Sequence, residues 1–176
     1  MSKNTLRAAV AAAVLALPCA AIAAQVDYFL KIDGVEGESV DKDHKGELQV
    51  ESWSWGVSST TTGNGASRAG KPCVASFNFT KVVDKATPQL MANAVSGMVI
   101  KSAVLTARKA GERPLEYLKV TLENVLVSSY SAGGSSQALP TDQFSLNFAR
   151  MSIEYKVQRP DGTLGDPSAA SFQGGC

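Results

Sequence analysis

Apolar side chains recur at every second position from Val26 onward, in short runs that turn residues separate. A period of two is typical of strands that bury one face, so the chain is predicted to be mainly β. In the first run Tyr28, Leu30 and Ile32 share one face, and the turn residue Gly34 follows. The later runs lie at residues 48–57, 77–79, 99–107, 115–127 and 144–157.

In two of these runs the apolar residues switch from even-numbered to odd-numbered positions partway along the run. In the second run the change falls near Glu51 and Ser52, and in the last run near Ala149 and Arg150. A bulge or bend is predicted at the first point and a bulge at the second, because a bulge there would keep the whole last run in the core. The residues that this second bulge would bring into the core are Met151, Ile153, Tyr155 and Val157.

One short helix interrupts the strand pattern. Thr87 is predicted as its N-cap and Pro88 as its first helical residue, and Gly97 follows its last turn. Its apolar residues are predicted to share one face, which must pack on its own domain or on a neighbouring subunit. These residues are Leu90, Met91, Ala94 and Val95.

The N-terminus has the features of a secretory leader. Lys3 and Arg7 precede an apolar run at residues 8–17 that is too short to span a bilayer, and small residues flank position 22. Residues 1–23 are therefore predicted to be a signal peptide that is cleaved after Ala23, which implies a secreted or periplasmic protein. Pro18 directly before Cys19 argues against a lipoprotein. If the leader is not used, assembly in the cytoplasm is expected instead.

The charge and the cysteine content limit the kinds of binding partner only loosely. The net charge is +1 and the basic residues are scattered, so neither nucleic acid nor stable membrane insertion is expected. After processing only Cys73 and Cys176 remain, and they could pair within the chain, pair between chains or stay free. The tail at residues 166–176 is predicted to be flexible, and the domain to span residues 24–165.

Several segments resemble catalytic or ligand motifs but lack an essential atom. Pro72 follows Lys71 where a phosphate-binding loop needs a hydroxyl, and a strand follows instead of a helix. The turn that begins at Asp41 resembles a calcium loop but has Lys45 at a ligand position. His44, the single histidine, is predicted to be an exposed turn residue. No catalytic, cofactor-binding or metal site is predicted, and the protein is not expected to be an enzyme.

The most suggestive feature outside the core is the polar segment at residues 58–71. Loops of this length in compact domains usually bind something or are disordered, and both interpretations stay open here. A second polar loop is predicted at residues 131–137. The residues of the longer loop to which a contact role is assigned are Ser58, Thr60, Thr61, Thr62, Gly63, Asn64, Gly65, Arg68 and Lys71.

An ordered set of short motifs gives the chain a family resemblance. In chain order they are DYFLKIDG at 27–34, HKGE at 44–47, SWGV at 54–57, VDKA at 83–86, AVLT at 103–106, RKAG at 108–111, EYLK at 116–119, VLVSSY at 125–130, DQ at 142–143 and SLNFA at 145–149. Together they span most of residues 26–165, and they resemble the haemolysin-coregulated proteins, or Hcp proteins, the tube subunits of type VI secretion systems.

The resemblance implies a compact two-sheet β-barrel with one short flanking α-helix. It also implies a structural function without a cofactor: a homo-hexameric ring that stacks on further rings to form a conduit, with spike and sheath proteins as partners and effector cargo in the lumen. The loop at residues 58–71 corresponds to the family loop that reaches the adjoining ring. An alternative function is an exported binding module that keeps the fold but no longer builds tubes, because a leader is not expected in this family.

Overall fold

The computed structural model describes residues 25–61, 69–111 and 114–175. These residues form ten strands and one helix, which confirms the mainly β fold and its flanking helix. In chain order the elements are β1 (Val26–Ile32), β2 (Leu48–Val50), β3 (Ser52–Ser54), β4 (Val57–Thr61), β5 (Ala69–Val74), β6 (Phe77–Val82), α1 (Thr87–Ser96), β7 (Ile100–Lys109), β8 (Leu115–Ser135), β9 (Ala138–Gln158) and β10 (Leu164–Gln173).

The main sheet curves round, and its two end strands are connected directly along the chain. Its strand order is β2-β1-β7-β8-β9-β6-β3, with β10 paired to β9, and β4 and β5 form a separate two-stranded sheet. The end strands β2 and β3 are consecutive in sequence and are joined only by Glu51, whose amide donates to the carbonyl of Thr80 at 2.9 Å. The predicted bend at Glu51 and Ser52 is therefore the point that closes the barrel.

A row of aromatic rings fills the interior. The rings of Trp53 and Phe77 lie 5.4 Å apart, those of Phe77 and Phe79 5.2 Å apart, and those of Phe79 and Phe144 5.3 Å apart. The three phenylalanines are fully buried. Large aromatic side chains contribute most to core stability per residue, so this row connects β3, β6 and β9 into one packed unit.

The longest strands, β8 and β9, form one hairpin whose two-residue turn is Ser136 and Gln137. Most of the predicted polar loop at residues 131–137 therefore belongs to strands, and that prediction is wrong. Glycine and serine give a poor strand signal because they have little side chain to pack, but here the backbone ladder to β9 supplies the order.

The predicted change of parity in the last run occurs in both strands at once. Ala149 and Arg150 are both exposed, and Asn124 in the facing part of β8 has a left-handed φ of 51°. Because both strands change face together, the ladder keeps its register here and β9 gains no extra residue, so the predicted bulge at Ala149 and Arg150 is wrong. Met151 enters the core as predicted, but Tyr155 and Val157 are exposed, so their predicted burial is wrong.

Helix α1 begins at Thr87 and ends at Gly97, which has a left-handed φ of 64° and donates its amide to Asn93. Ala86, and not the predicted Thr87, holds the N-cap position, and no side chain caps the first turn. The Thr87 hydroxyl instead bonds to the carboxylate of Asp142. A buried carboxylate needs donors, which gives this threonine a stronger partner than its own helix.

The sheet extends beyond the predicted end of the domain at residue 165. Strand β10 pairs with β9 from Leu164 to Gln173, so most of the predicted tail is an ordered edge strand in this structure. Apart from Leu164 and Phe172 its residues are small, polar or proline, which explains the missing strand signal. It occupies the flank of β9 beyond the stretch that pairs with β6.

Candidate assembly surface

The predicted contact loop is the far part of a hairpin. Strands β4 and β5 pair antiparallel, with Ser58 opposite Cys73 and Thr61 opposite Ala69. The ends of the 58–71 segment are therefore a β-ribbon, which the length and composition of the segment did not predict. Of the residues assigned a contact role, Thr62, Gly63, Asn64, Gly65 and Arg68 lie outside the described part of the chain, and Ser58, Thr60, Thr61 and Lys71 lie in the paired strands.

The base of this hairpin rests on the aromatic row of the core. The ring of Trp55, just before β4, lies 6.2 Å from that of Phe77 and 6.2 Å from that of Phe172 in β10. The amide of Ala75 donates to the carbonyl of Gly56 at 3.0 Å, which closes the hairpin at its foot. The β4–β5 hairpin thus starts from a fixed position on the barrel although it lies outside the main sheet.

Helix α1 presents apolar side chains to solvent. Leu90 and Asn93 are buried against the barrel. The exposed side chains of the helix and the two residues beyond its cap form what we call the α1 patch, with the exposed fraction in brackets: Met91 (47%), Val95 (91%), Met98 (53%) and Val99 (64%). Met91 and Val95 are thus exposed, which contradicts packing of the whole predicted face on the helix's own domain.

A buried charged cluster fixes the start of this helix. The ammonium of Lys81 lies 2.9 Å from a carboxylate oxygen of Asp142 and 2.6 Å from one of Asp84. Tyr130 donates its hydroxyl to the other oxygen of Asp142 at 2.7 Å, and Thr87 bonds to the same carboxylate. The cluster links β6, β8 and β9 to the first residue of α1.

The titration of this cluster reflects its burial and its hydrogen bonds. Burial alone would raise the pKa of Asp142, but hydrogen bonds from Thr87, Lys81 and Tyr130 outweigh it and hold the pKa below its ordinary value. Burial, together with the bond to the Asp142 carboxylate, raises the pKa of Tyr130 to about 12. At neutral pH Asp142 is therefore ionised and Tyr130 is a neutral donor.

A second charged cluster holds the long connection between β1 and β2. Arg108 of β7 makes a two-pronged contact with Asp41, at 2.9 and 2.6 Å, and reaches Asp27 at 3.2 Å. The hydrogen bond from Arg108 is the main reason that the pKa of Asp41 lies well below its usual range. The turn at Asp41 is accordingly a docking point on the barrel as well as a solvated turn.

His44 lies inside this region, and its prediction as an exposed residue is wrong. Its ring stacks on Phe29 with centroids 4.2 Å apart, and Nδ1 lies 2.9 Å from a carboxylate oxygen of Glu47. Nε2 lies 3.4 Å from Glu116 without hydrogen-bond geometry. Phe29 is buried on the face of β1 opposite to Leu30. A second buried face on β1 was not visible from alternation alone.

Within the described ranges, no three His, Cys, Asp or Glu side chains are grouped so that they could hold a metal ion. The helix in these ranges has ten residues and is too short to cross a membrane. The described surface has a hairpin outside the main sheet and an apolar patch at α1, and the buried charged cluster around Lys81 holds the start of α1. Such an arrangement suits contacts between protein chains.

Several known proteins resemble this chain over most of its length. Residues 29–155 match the family model described as type VI secretion system effector, Hcp. The chain is 47% identical over 141 residues to Protein hcp1 of Pseudomonas aeruginosa, which covers 78% of this chain and 87% of that protein. The crystal structure of Hcp1 from Salmonella typhimurium has a TM-score of 0.72 at 36% identity, covering 84% of this chain and 94% of that one. A type VI secretion system effector from Yersinia pestis has a TM-score of 0.69 at 33% identity, covering 84% and 99%.

These comparisons define a structural protein of a bacterial secretion system. The chain belongs to the Hcp family of the type VI secretion system. The resemblance carried by the ordered motifs is confirmed. Family membership gives the barrel a role in protein secretion, and it directs attention to surfaces through which copies of the chain could meet.

Proposed function

We propose that the protein is a ring subunit of the type VI secretion tube. Six copies form a ring, rings stack into a conduit, and effectors travel in the lumen. The observation that carries this proposal is the family match over residues 29–155, which covers most of β1 and β9 and all of β2 to β8 with helix α1. Spike and sheath proteins are the further partners that this role requires.

The α1 patch is proposed as part of the contact between neighbouring copies in the ring. A closed cyclic ring joins one surface of a subunit to a different surface of the next, so each copy needs an apolar patch that another copy covers. Val95 is almost fully exposed on this chain alone, and its side chain lies beside three other exposed apolar residues. Burial of such a group by a second copy removes apolar area from water, which favours association.

The β4–β5 hairpin is proposed as the contact between stacked rings. Strands β4 and β5 form a two-stranded sheet that is separate from the main sheet, so neither strand is part of the barrel wall. The composition of residues 58–71, rich in Ser, Thr and Gly, suits many weak and hydrated contacts rather than a permanent apolar interface. A tube that must assemble and come apart needs contacts of this kind.

We further propose that residues 1–23 are removed on export, which leaves a mature protein that begins near Ala24. N-terminal sequencing of exported material tests this cleavage, and an intact Ser2 on that material would contradict it. This proposal is independent of the ring, because a retained leader and a hexamer are compatible outcomes.

A second candidate function is an exported binding module that does not build tubes. The disulfide at Cys73 favours it, because disulfides persist mainly in oxidising compartments outside the cytoplasm. In that case the hairpin and the α1 patch would contact another protein.

Light scattering after size exclusion separates the two functions. At micromolar concentration we expect a particle of six times the mass of one chain, and negative-stain images should show rings with a central hole. A chain that stays monomeric at that concentration would contradict the tube role and favour the binding module. Rings that never stack would keep the ring subunit and remove the tube.

A further inference from the structure

Cys73 of β5 is disulfide-bonded, and the sulfur that it joins lies outside the described residues. The chain has two other cysteines, Cys19 in the predicted leader and Cys176 at the end of the sequence. Cys73 itself faces Ser58 across the β4–β5 ribbon, at the base of the proposed stacking hairpin. Whatever joins Cys73 is therefore attached to the foot of that hairpin.

The last described residues lead the chain to this foot. After β10, the amide of Gly174 donates to the carbonyl of Ala149 at 2.9 Å, which keeps the chain on β9. One residue further, the carbonyl of Gly175 accepts the amide of Val74 at 3.1 Å. Val74 and Gly175 form an antiparallel bridge, so the end of the chain runs alongside β5 in the opposite direction.

Two glycines make this approach feasible. A Cβ at Gly174 would lie 1.9 Å from the carbonyl oxygen of Phe148, so only glycine allows the chain to come this close to β9. Gly175 has a left-handed φ of 92°, which favours glycine for a different reason. Gly174 and Gly175, which lie in the tail that was predicted to be flexible, are therefore needed for a defined path toward Cys73.

We infer that Cys73 and Cys176 form an intramolecular disulfide that clasps the C-terminal strand to the base of the hairpin. In an antiparallel bridge, one step back on one strand faces one step forward on the other, so continuing the Val74–Gly175 bridge by one residue would put position 176 opposite Cys73. Val74 and Gly175 are a hydrogen-bonded pair, and the next pair of a ladder is a non-hydrogen-bonded one with Cα atoms about 4.5 Å apart. That separation lies within the range of about 4.4–6.8 Å that disulfides span.

The bond requires an oxidant, which a small disulfide such as oxidised glutathione can supply. The thiolate of one cysteine attacks that disulfide and releases one reduced glutathione. The second cysteine then attacks the mixed disulfide and releases another, so two thiols are oxidised and one disulfide is reduced. The oxidising compartment that this exchange needs is the one to which the predicted leader would direct the chain.

The clasp closes a loop of about 100 residues, and in the chain-entropy model a crosslink that closes a longer loop restricts the unfolded chain more. It also holds β10 on the barrel, where Phe172 covers Trp55 under the hairpin. Its effect on ring stacking rests on the proposed function, but the bond itself does not.

Peptide mapping of the full chain under non-reducing, denaturing conditions tests the bond directly. We expect the peptide that contains Cys73 to be linked to the peptide that contains Cys176, with the chain at monomer mass on a non-reducing gel. A link to Cys19, a reducible species of twice the mass, or two free thiols would each overturn the inference. Rings are absent under these conditions, so this result is independent of the hexamer.

The clasp is tested by heating the native protein with and without reductant. We expect the Tm to fall by about 10 °C on reduction, and Cys176→Ser to show the lower Tm under both conditions. Ser171→Ala, in the same strand, is the control and should behave as wild type. An unchanged Tm on reduction would overturn the clasp even if the link is found. Light scattering of the reduced protein then reports separately whether rings persist.

Discussion

The ammonium of Lys81 lies 2.9 Å from the carboxylate of Asp142, and both side chains are completely buried. An ion pair in the interior is stable only when hydrogen bonds satisfy the remaining polar atoms. Asp84, Thr87 and Tyr130 supply them here. The pair therefore couples the start of α1, and with it the α1 patch, to the barrel wall.

Removal of one member of this pair should destabilise the fold strongly. Lys81→Met leaves the Asp142 carboxylate buried without its cation, so we expect the free energy of unfolding to fall by about 3–5 kcal/mol in urea titrations at fixed protein concentration. Lys156→Met is the matched control, because Lys156 pairs with Glu154 at 3.0 Å on the exposed surface. That variant should change the free energy by less than about 1 kcal/mol. Equal losses in both variants would contradict the importance of burial.

Acid should weaken the Asp41 contact in a predictable pH range. The folded-state pKa of Asp41 lies below its unfolded value of 3.8, so the unfolded chain binds more protons as the pH falls through this range. The contribution of Asp41 to stability is full above about pH 5 and is lost progressively as the pH falls toward the folded pKa. Asp41→Asn should therefore show a flatter decline of the urea midpoint between about pH 5 and pH 2. Parallel declines in wild type and variant would contradict this assignment.

A charge in the α1 patch should oppose ring formation. Val95→Glu places a carboxylate where we propose that a second copy packs, and desolvating an unpaired charge is unfavourable. We expect the hexamer fraction in light scattering to fall at least about ten-fold at micromolar concentration, with an unchanged circular dichroism spectrum. Val40→Glu is the control, since Val40 is 93% and Val95 91% exposed. A Val95→Glu hexamer as stable as that of the control would exclude the patch from the ring contact.

The hairpin should affect stacking without affecting the ring. Replacement of Gly63, Asn64 and Gly65 by glutamine adds bulk in the segment that we propose reaches the adjoining ring. In negative-stain images we expect single rings to persist while the number of stacked tubes declines several-fold. Ser136→Gln, at the turn between β8 and β9, is the control in a second exposed hairpin. Loss of the ring itself in the triple variant would contradict the assignment of this hairpin to stacking.

The close approach of the tail to β9 should not tolerate a methyl group. Gly174→Ala would force the chain away from the carbonyl of Phe148, at an overpacking cost of about 1–3 kcal/mol. We expect amide hydrogen exchange in β10 to accelerate by about ten-fold or more. Gly133→Ala is the control, because a Cβ there meets nothing within 4 Å. Unchanged exchange in the Gly174 variant would show that the tail can dock along another path.

The core-facing residues of several strands were readable from the chain, because alternation depends only on local geometry. Leu30 and Ile32 are buried as their spacing indicates, and Gly97 ends the helix where its position indicates. The bend near Glu51 was also predicted from parity. The closure of the barrel at this bend was not predicted, because no local pattern shows that β2 and β3, on either side of Glu51, lie at opposite ends of the sheet.

Long-range packing alone decided the surroundings of the charged and polar residues. His44 becomes buried because β1 brings Phe29 to it, and Lys81 because β9 brings Asp142, more than 50 residues away in sequence, to its ammonium. The sequence by itself determined the class of fold, the family and some local ends of elements, such as the end of α1 at Gly97. The tertiary structure decided which polar groups are buried and where the C-terminal strand docks, because both depend on partners that are distant in the chain. The periodicity of a segment shows only how that segment divides its own side chains between core and solvent.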